Sequence, residues 1–236
     1  VTVPSLTECA FSIKMSQDSL EVFRYKMNFL LCLALVKCYL YLSFKPVFVK
    51  KEKLNIPTIS ELSETHFAKQ YVLNRKIPKG SHKDLYFAND FKKFVLEMKP
   101  DYSKNLIDND PRLIIPFRDE NGNMFAFQGR ALGESKIRYI TIKLMDDVPR
   151  MYGYNKLNLD EKIYVVEGPI DSMFIDNAIA TADANLSSID IAEHFNDLVL
   201  IYDNEPRNKD IVRQISKAIK EQFQVVIWPA TIESKD

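Results

Sequence analysis

Hydrophobic and polar positions change their spacing several times along the 236 residues, and each change predicts a different kind of element. Residues 28–49, NFLLCLALVKCYLYLSFKPVFV, are apolar almost throughout, with Lys37 and Lys45 inside the run. A membrane span needs roughly twenty apolar residues, and a charge near its centre costs several kcal/mol. The stretch therefore reads as a buried helix or a leader, not as a membrane anchor, and it comes too late for an ordinary signal peptide. Residues 50–59, KKEKLNIPTI, are charged, contain Pro57 and read as a linker. From 60 to 75, SELSETHFAKQYVLNR places Phe67, Tyr71 and Val72 at spacings that predict a helix, with Ser60 and Ser63 as candidate caps. FKKFVLEM at 91–98 predicts a second, short helix closed by Pro100.

The spacing then shortens. RLIIPFRD and MFAFQGRAL flank Glu120-Asn121-Gly122-Asn123, a hairpin signal, and IRYITIKL at 137–144 alternates with period two. This middle region predicts an antiparallel sheet. From residue 162 onward, KIYVVEG, AIATADA, DLVLIYD and QVVIWP alternate with the helical patterns PIDSMFIDNA, SSIDIAEHF and PRNKDIVRQISKAIKEQF. Continuous apolar runs separated by helices predict a parallel sheet covered on both faces. The expected fold is α/β: an α+β N-terminal subdomain followed by an α/β subdomain with a mainly parallel sheet. The expected boundaries are 1–50 for a leader, 51–159 for the first subdomain and 160–236 for the second.

Composition adds two facts. Hydrophobic residues make up 46% and charged residues 27%, as in a globular protein, and three cysteines without a CxxC pair supply neither a disulfide framework nor a zinc site. A reducing, cytoplasmic setting is expected. The net charge of zero conceals an asymmetry: residues 1–150 carry 24 Lys and Arg against 17 Asp and Glu, whereas 151–236 carry 8 against 15. A basic half suits polyanions and an acidic half suits cations. His66, His82 and His194 are scattered without ligand spacing and read as ordinary histidines.

The acidic half holds the candidate chemistry. Glu167 and Asp203 each end a predicted parallel strand, where open α/β sheets form their ligand crevice. Asp171 follows Glu167 by four residues and Glu205 follows Asp203 by two. Four converging carboxylates repel one another unless a hard cation neutralises them, and Mg²⁺, which takes oxygen ligands and leaves positions for phosphate, fits that need. Each acid taken singly is as well explained as a helix cap. Arg207, Lys209 and Arg213, at the start of the following helix, either touch phosphates or neutralise Asp203 and Asp210.

VVEGPID at 165–171, followed by LVLIYDNE at 198–205, resembles the motifs of a TOPRIM domain, a fold shared by DnaG-type primases, topoisomerases, some nucleases and recombination mediators. The stretch from 112 to 140, RLIIPFRDENGNMFAFQGRALGESKIRYI, resembles the primase segment that carries a "GGR" element and a basic-Tyr pair, and MYGYNKL at 151–157 resembles the "LYG" element. EGPID, DNEPRNKD and SETHFAKQYVLNRKIPK are most similar to primases of T-even-type bacteriophages, and the likeness covers about residues 60–236.

The resemblance implies template-directed synthesis of short RNA primers on single-stranded DNA by metal-dependent nucleotidyl transfer. It implies catalytic roles for Glu167, Asp203 and Glu205, and Mg²⁺ or Mn²⁺ ligation by those acids together with Asp171 and Asp236. It places Arg130 and Arg138 at template- or nucleotide-binding positions, with Arg118, Lys136 and Lys143 as basic neighbours, although strand alternation sends Arg138 and Lys143 to opposite faces. Tyr139 and Phe127 are expected in the core more than on bases. Implied partners are single-stranded DNA, ribonucleoside triphosphates and a replicative helicase, in the cytoplasm of a bacterial host. The family's zinc-binding module has no counterpart in 1–50, Asp203-x-Glu205 stands where the pattern has two Asp, and the chain is expected to be a core shortened at both ends. A TOPRIM nuclease or topoisomerase fragment and an inactive nucleic-acid-binding relic are the alternatives.

Overall fold

The computed structural model describes residues 54–145, 151–182, 186, 197–229 and 231–232, all within one contact unit, Phe48–Asp236. The expected leader at 1–50, the helix expected at SSIDIAEHF and Asp236 lie outside the described residues. Two four-stranded sheets organise the rest. Strands β1 (Tyr86–Ala88), β2 (Arg112–Arg118), β3 (Met124–Ala131) and β4 (Tyr139–Lys143) pair antiparallel in that order. The hairpin forms where the Asn-Gly pair predicts it, but with a longer loop than a two-residue turn. Gly122 N–H donates to the Asp119 carbonyl (2.9 Å) and Gly122 takes the left-handed φ of 81°. The Asp119 carboxylate accepts the backbone N–H of Asn121 (3.0 Å) and of Asn123 (2.7 Å).

Helix α1 (Phe67–Asn74) is shorter than the periodicity of 60–75 predicts. Thr58 and Glu61 satisfy one another's backbone in a turn, with Thr58 N–H donating to Glu61 Oε2 (2.7 Å), and this local bonding competes with helix. The helix instead begins at His66, whose Nδ1 accepts from Ala68 N–H (3.2 Å). The linker expected at 50–59 is also corrected for its described part: Ile59 is fully buried and Thr58 bridges to Tyr86 of β1. Apolar Leu54, Ile56 and Ile59 outweigh the charged start of that segment, and all three pack into hydrophobic clusters. Helix α2 (Phe91–Met98) is capped by Asp90 and packs Phe91, Phe94 and Val95 with Phe127 of β3.

The second sheet is parallel, in the order β6-β5-β7-β8, with β5 (Ile163–Val166), β6 (Ala178–Ala180), β7 (Leu198–Leu200) and β8 (Gln224–Val225). PIDSMFIDNA yields only one helical turn, α3 (Pro169–Ser172), with Pro169 in its first turn. The chain then reverses at Asn177 (φ 52°), whose Nδ2 donates to the carbonyls of Asn158 and Lys162 (2.9 Å each) and returns it to β6. Helix α4 (Lys209–Lys220) is capped by Asn208 and buries Ile211 and Ala218.

The sheets share a core: Leu113, Ile115 and Phe117 of β2 belong to one cluster with Val166, Ile170, Tyr152 and Ala180. Tyr152 and Ala180 exchange backbone hydrogen bonds (2.8 and 3.1 Å), and Gly153 turns there with φ 90°. A Cβ on Gly153 would stand 2.8 Å from the Ala178 carbonyl oxygen. Gly153→Ala is therefore expected to lower stability by about 2 kcal/mol, from the left-handed backbone and the forced contact together. The measurement is a fall in the urea midpoint at unchanged m-value.

Candidate active site

The apolar strands β5 and β7 are neighbours, and each delivers an acid just beyond its carboxyl end. Glu167 follows Val166 directly, and the β7 ladder continues to Ile201, whose N–H donates to the Val165 carbonyl (2.9 Å), before Tyr202 and Asp203. Asp171 sits in the first turn of α3. The Asp171 carboxylate folds back over the strand–helix turn, its Oδ2 occupying the space that a Cβ on Gly168 would take. Glu167, Asp171 and Asp203 line one cleft of about 440 Å³.

Glu205 does not line the cleft. Its Oε2 accepts from Asn208 Nδ2 and its carbonyl from Asn208 N–H (2.9 Å), so it braces the entry to α4. Three of the four expected acids thus share a cleft, and among the described residues no three Asp, Glu, His or Cys side chains gather tightly enough to form a ready-made metal centre. The all-oxygen donor set still fits a hard cation. Mg²⁺ is ordinarily held by one or two carboxylates plus waters and substrate phosphates, not by a full protein cage.

The cleft also has a basic part, which comes from the end of α1. Arg75 and Lys76 line the same cleft as the three acids. The chain leaves α1 through paired bonds, Lys76 N–H to Leu73 O (2.9 Å) and Ile77 N–H to Val72 O (3.2 Å), a helix ending that calls for a left-handed residue and usually takes glycine. Here Lys76 occupies it, with φ 57°. Burial works against the Arg75 charge, but the neighbouring Tyr71, with a hydrogen bond, and then Tyr139 and Asp171 outweigh it and hold the group above its usual value. Tyr71 also accepts from Arg130 Nε (2.9 Å), and the Arg130 guanidinium lies over the Tyr139 ring at 4.6 Å, directly across the β3–β4 ladder. Desolvation raises the Tyr139 hydroxyl, with Arg130 working against the rise.

Over 171 residues, 72% of the chain and 49% of the relative, the sequence is 36% identical to the DNA primase of Enterobacteria phage T4. The chain thus spans about half the length of that protein. No family model matches the chain. The RNA polymerase domain of Mycobacterium tuberculosis primase DnaG superposes with a TM-score of 0.56 at 19% identity, covering 74% of this chain and 72% of that one. The E. coli primase catalytic core gives 0.53 at 19% identity over 70% and 66%. The Aquifex aeolicus primase, with its zinc-binding and RNA polymerase domains, gives 0.55 at 20% identity over 74% and 52%. The described residues carry the fold of a DnaG-type primase core.

Within that primase fold the sequence-selected cations are spread out. Arg130 joins the tyrosine stack beside the cleft, whereas Lys136 and Arg138 are exposed in the loop before β4. Arg118 is spent on the hairpin, donating to the Gly122 carbonyl (2.9 Å). Lys143 lies on β4, and Arg207 and Lys209 are exposed at the entry to α4, away from the cleft lining. Arg213 pairs with Asp210 (2.7 Å) at the surface. Phe127 is core, Tyr139 is partly exposed under Arg130, and His82 is buried against the Ile77 carbonyl (3.0 Å).

Sequence reasoning passed over Arg75, Lys76 and Trp228, which line the cleft, and Arg112, which organises the basic loop. A tryptophan ending a parallel strand was the available signal for Trp228; nothing local singles out the others. Arg112 is 1% exposed. It bonds Asp110 (2.7 Å), the carbonyls of Gly129 (2.9 Å) and Ile137 (3.0 Å) and Ser135 Oγ (3.3 Å), and its guanidinium lies 5.1 Å from the Phe91 ring centroid.

Two stability changes of opposite sign are expected. Arg112→Gln strands Asp110 and several carbonyls and is expected to cost about 3 kcal/mol. Lys76→Gly relieves a left-handed backbone and is expected to add about 1 kcal/mol. Equilibrium urea unfolding reads both.

Proposed function

We propose that this chain is the catalytic core of a DNA primase that joins ribonucleotides on single-stranded DNA to make short RNA primers for replication. The observation that carries the reading is the shared cleft. Glu167 and Asp203 lie just beyond the ends of neighbouring parallel strands, and Asp171, Arg75 and Lys76 line the same cleft. Similarity to a phage DNA primase supports the same reaction class.

In such a reaction the 3′ hydroxyl attacks an α-phosphate and pyrophosphate leaves, so positioning and charge supply most of the rate. A divalent ion, Mg²⁺ or Mn²⁺, when bound supplies charge neutralisation and activation of the attacking oxygen. Glu167 and Asp203 hold it in this reading, with Asp171 supporting and Asp236 as a further ligand; Glu205 acts on the geometry of Asp203 through the turn they share, in which Glu205 N–H donates to the Asp203 carbonyl (2.8 Å). Arg75 and Lys76 offset the triphosphate. Arg130, Arg138 and Lys136 contact the template backbone, with Lys143, Arg207 and Lys209 as outer contacts, so template affinity falls steeply with salt. A structure of the Mycobacterium tuberculosis RNA polymerase domain holds double-stranded DNA with a 6-nucleotide overhang, which agrees with a nucleic-acid partner for this fold.

The functional division runs at about residue 160, basic template-binding before it and acidic, TOPRIM-type catalysis after it. A replicative helicase and the cytoplasm of a bacterial host complete the proposal; among the described residues no helix is long and apolar enough to cross a membrane. With labelled ribonucleotides, single-stranded DNA and Mg²⁺, Glu167→Gln or Asp203→Asn is expected to cut dinucleotide synthesis by about 10²-fold or more at unchanged circular dichroism. Full activity in either folded variant rejects the assignment.

A further inference from the structure

The cleft has a third kind of surface. Besides its acids and its two cations it is lined by Val166, Phe174, Ile175, Ile201 and Trp228. Phe174 is 51% exposed and Trp228 37% exposed, so two large aromatic side chains remain open to solvent beside the carboxylates. Trp228 is not loose: its indole Nε1–H donates to the Tyr202 carbonyl (2.7 Å), and Tyr202 is buried immediately before Asp203. The strand end that delivers the acid therefore also anchors the indole. Because that N–H is already committed, the chemistry left to Trp228 is its ring face, which stacks on flat aromatic ligands without reading their edges.

Resting on the function proposed above, we propose that the Phe174–Trp228 wall seats the nucleobase of a nucleoside triphosphate whose phosphates lie toward the carboxylates and Arg75–Lys76. The three surfaces match the three parts of that ligand: aromatic for the base, acids for the cation that accompanies the triphosphate, and cations for the phosphate oxygens. Stacking accepts every base, since each has a π-face, and leaves selection to pairing with the template. Trp228 is in this sense a binding residue with no part in the bond-making step.

The chain contains a single tryptophan, so indole emission reports on this site alone. The full chain is titrated in Mg²⁺ with ATP and, separately, with inorganic tripolyphosphate, with emission and calorimetric heat recorded together. ATP is expected to quench emission with the same midpoint as its heat, and tripolyphosphate to bind with little quenching. Trp228→Ala is expected to weaken ATP about tenfold and tripolyphosphate by about twofold or less. Phe174→Ala, the second variant should the first fail to fold, moves ATP in the same direction. Calorimetric binding of ATP without a change in emission, equal quenching by tripolyphosphate, or wild-type ATP affinity in the folded variants each overturns the base-stacking role and leaves the primase reading intact. Absence of ATP heat and quenching alike, in the presence of Mg²⁺, overturns both.

Discussion

Gathering Glu167, Asp171 and Asp203 onto one cleft is the constraint around which the rest is arranged. Like charges that share a cleft repel one another, more strongly near a protein surface than in bulk water. The fold achieves this gathering by making β5 and β7 neighbours in a parallel sheet, so that their carboxyl ends open side by side. It sets Arg75 and Lys76, at the end of α1, on the same cleft, and the Asp171 carboxylate supports the Arg75 charge. The arrangement is a cleft that carries both signs of charge, which neither sheet alone provides.

Holding cations against that cleft requires the antiparallel sheet to be rigid where it faces the parallel one. Hydrophobic packing does this at the centre, where residues of β2 meet Val166, Ile170 and Ala180 in one cluster. Polar clamps do it at the margin. Arg112 ties the start of β2 to the loop that carries Lys136 and Arg138, and the Tyr71–Arg130–Tyr139 stack ties α1 to β3 and β4. Gly129 completes the packing: a Cβ there would collide with the Phe91 ring beneath the Arg112 guanidinium, so the glycine before Arg130 is a packing requirement. The left-handed Lys76 shows the opposite preference, a position where glycine would relax the backbone yet a cation stands in the cleft.

Much of the fold was legible along the chain because it rests on short-range periodicity. Alternation marked β4, the Asn-Gly pair marked the β2–β3 hairpin, and continuous apolar runs marked β5 and β7. Errors fell where a local hydrogen bond beats periodicity: the Thr58–Glu61 turn delays α1 to His66, and the Asn177 reversal cuts α3 to one turn. The 50–59 segment was misjudged because its lysines lie at one end, whereas Ile59 at the other end is fully buried.

The succession of elements, the acids at strand ends and the family likeness were properties of the sequence by itself, since a strand's ending and its following acid are neighbours in the chain. What only the tertiary structure decided was membership of the cleft. Glu205 looked equivalent to Asp203 at two residues' distance, yet its side chain turns to Asn208 at the α4 entry. Arg75 and Lys76 carried no local mark of chemistry, because a helix end and two strand ends separated by tens to more than a hundred residues meet only once the sheets pack. Proximity of that kind is a product of burial and chain reversal, and no window of neighbouring residues contains it.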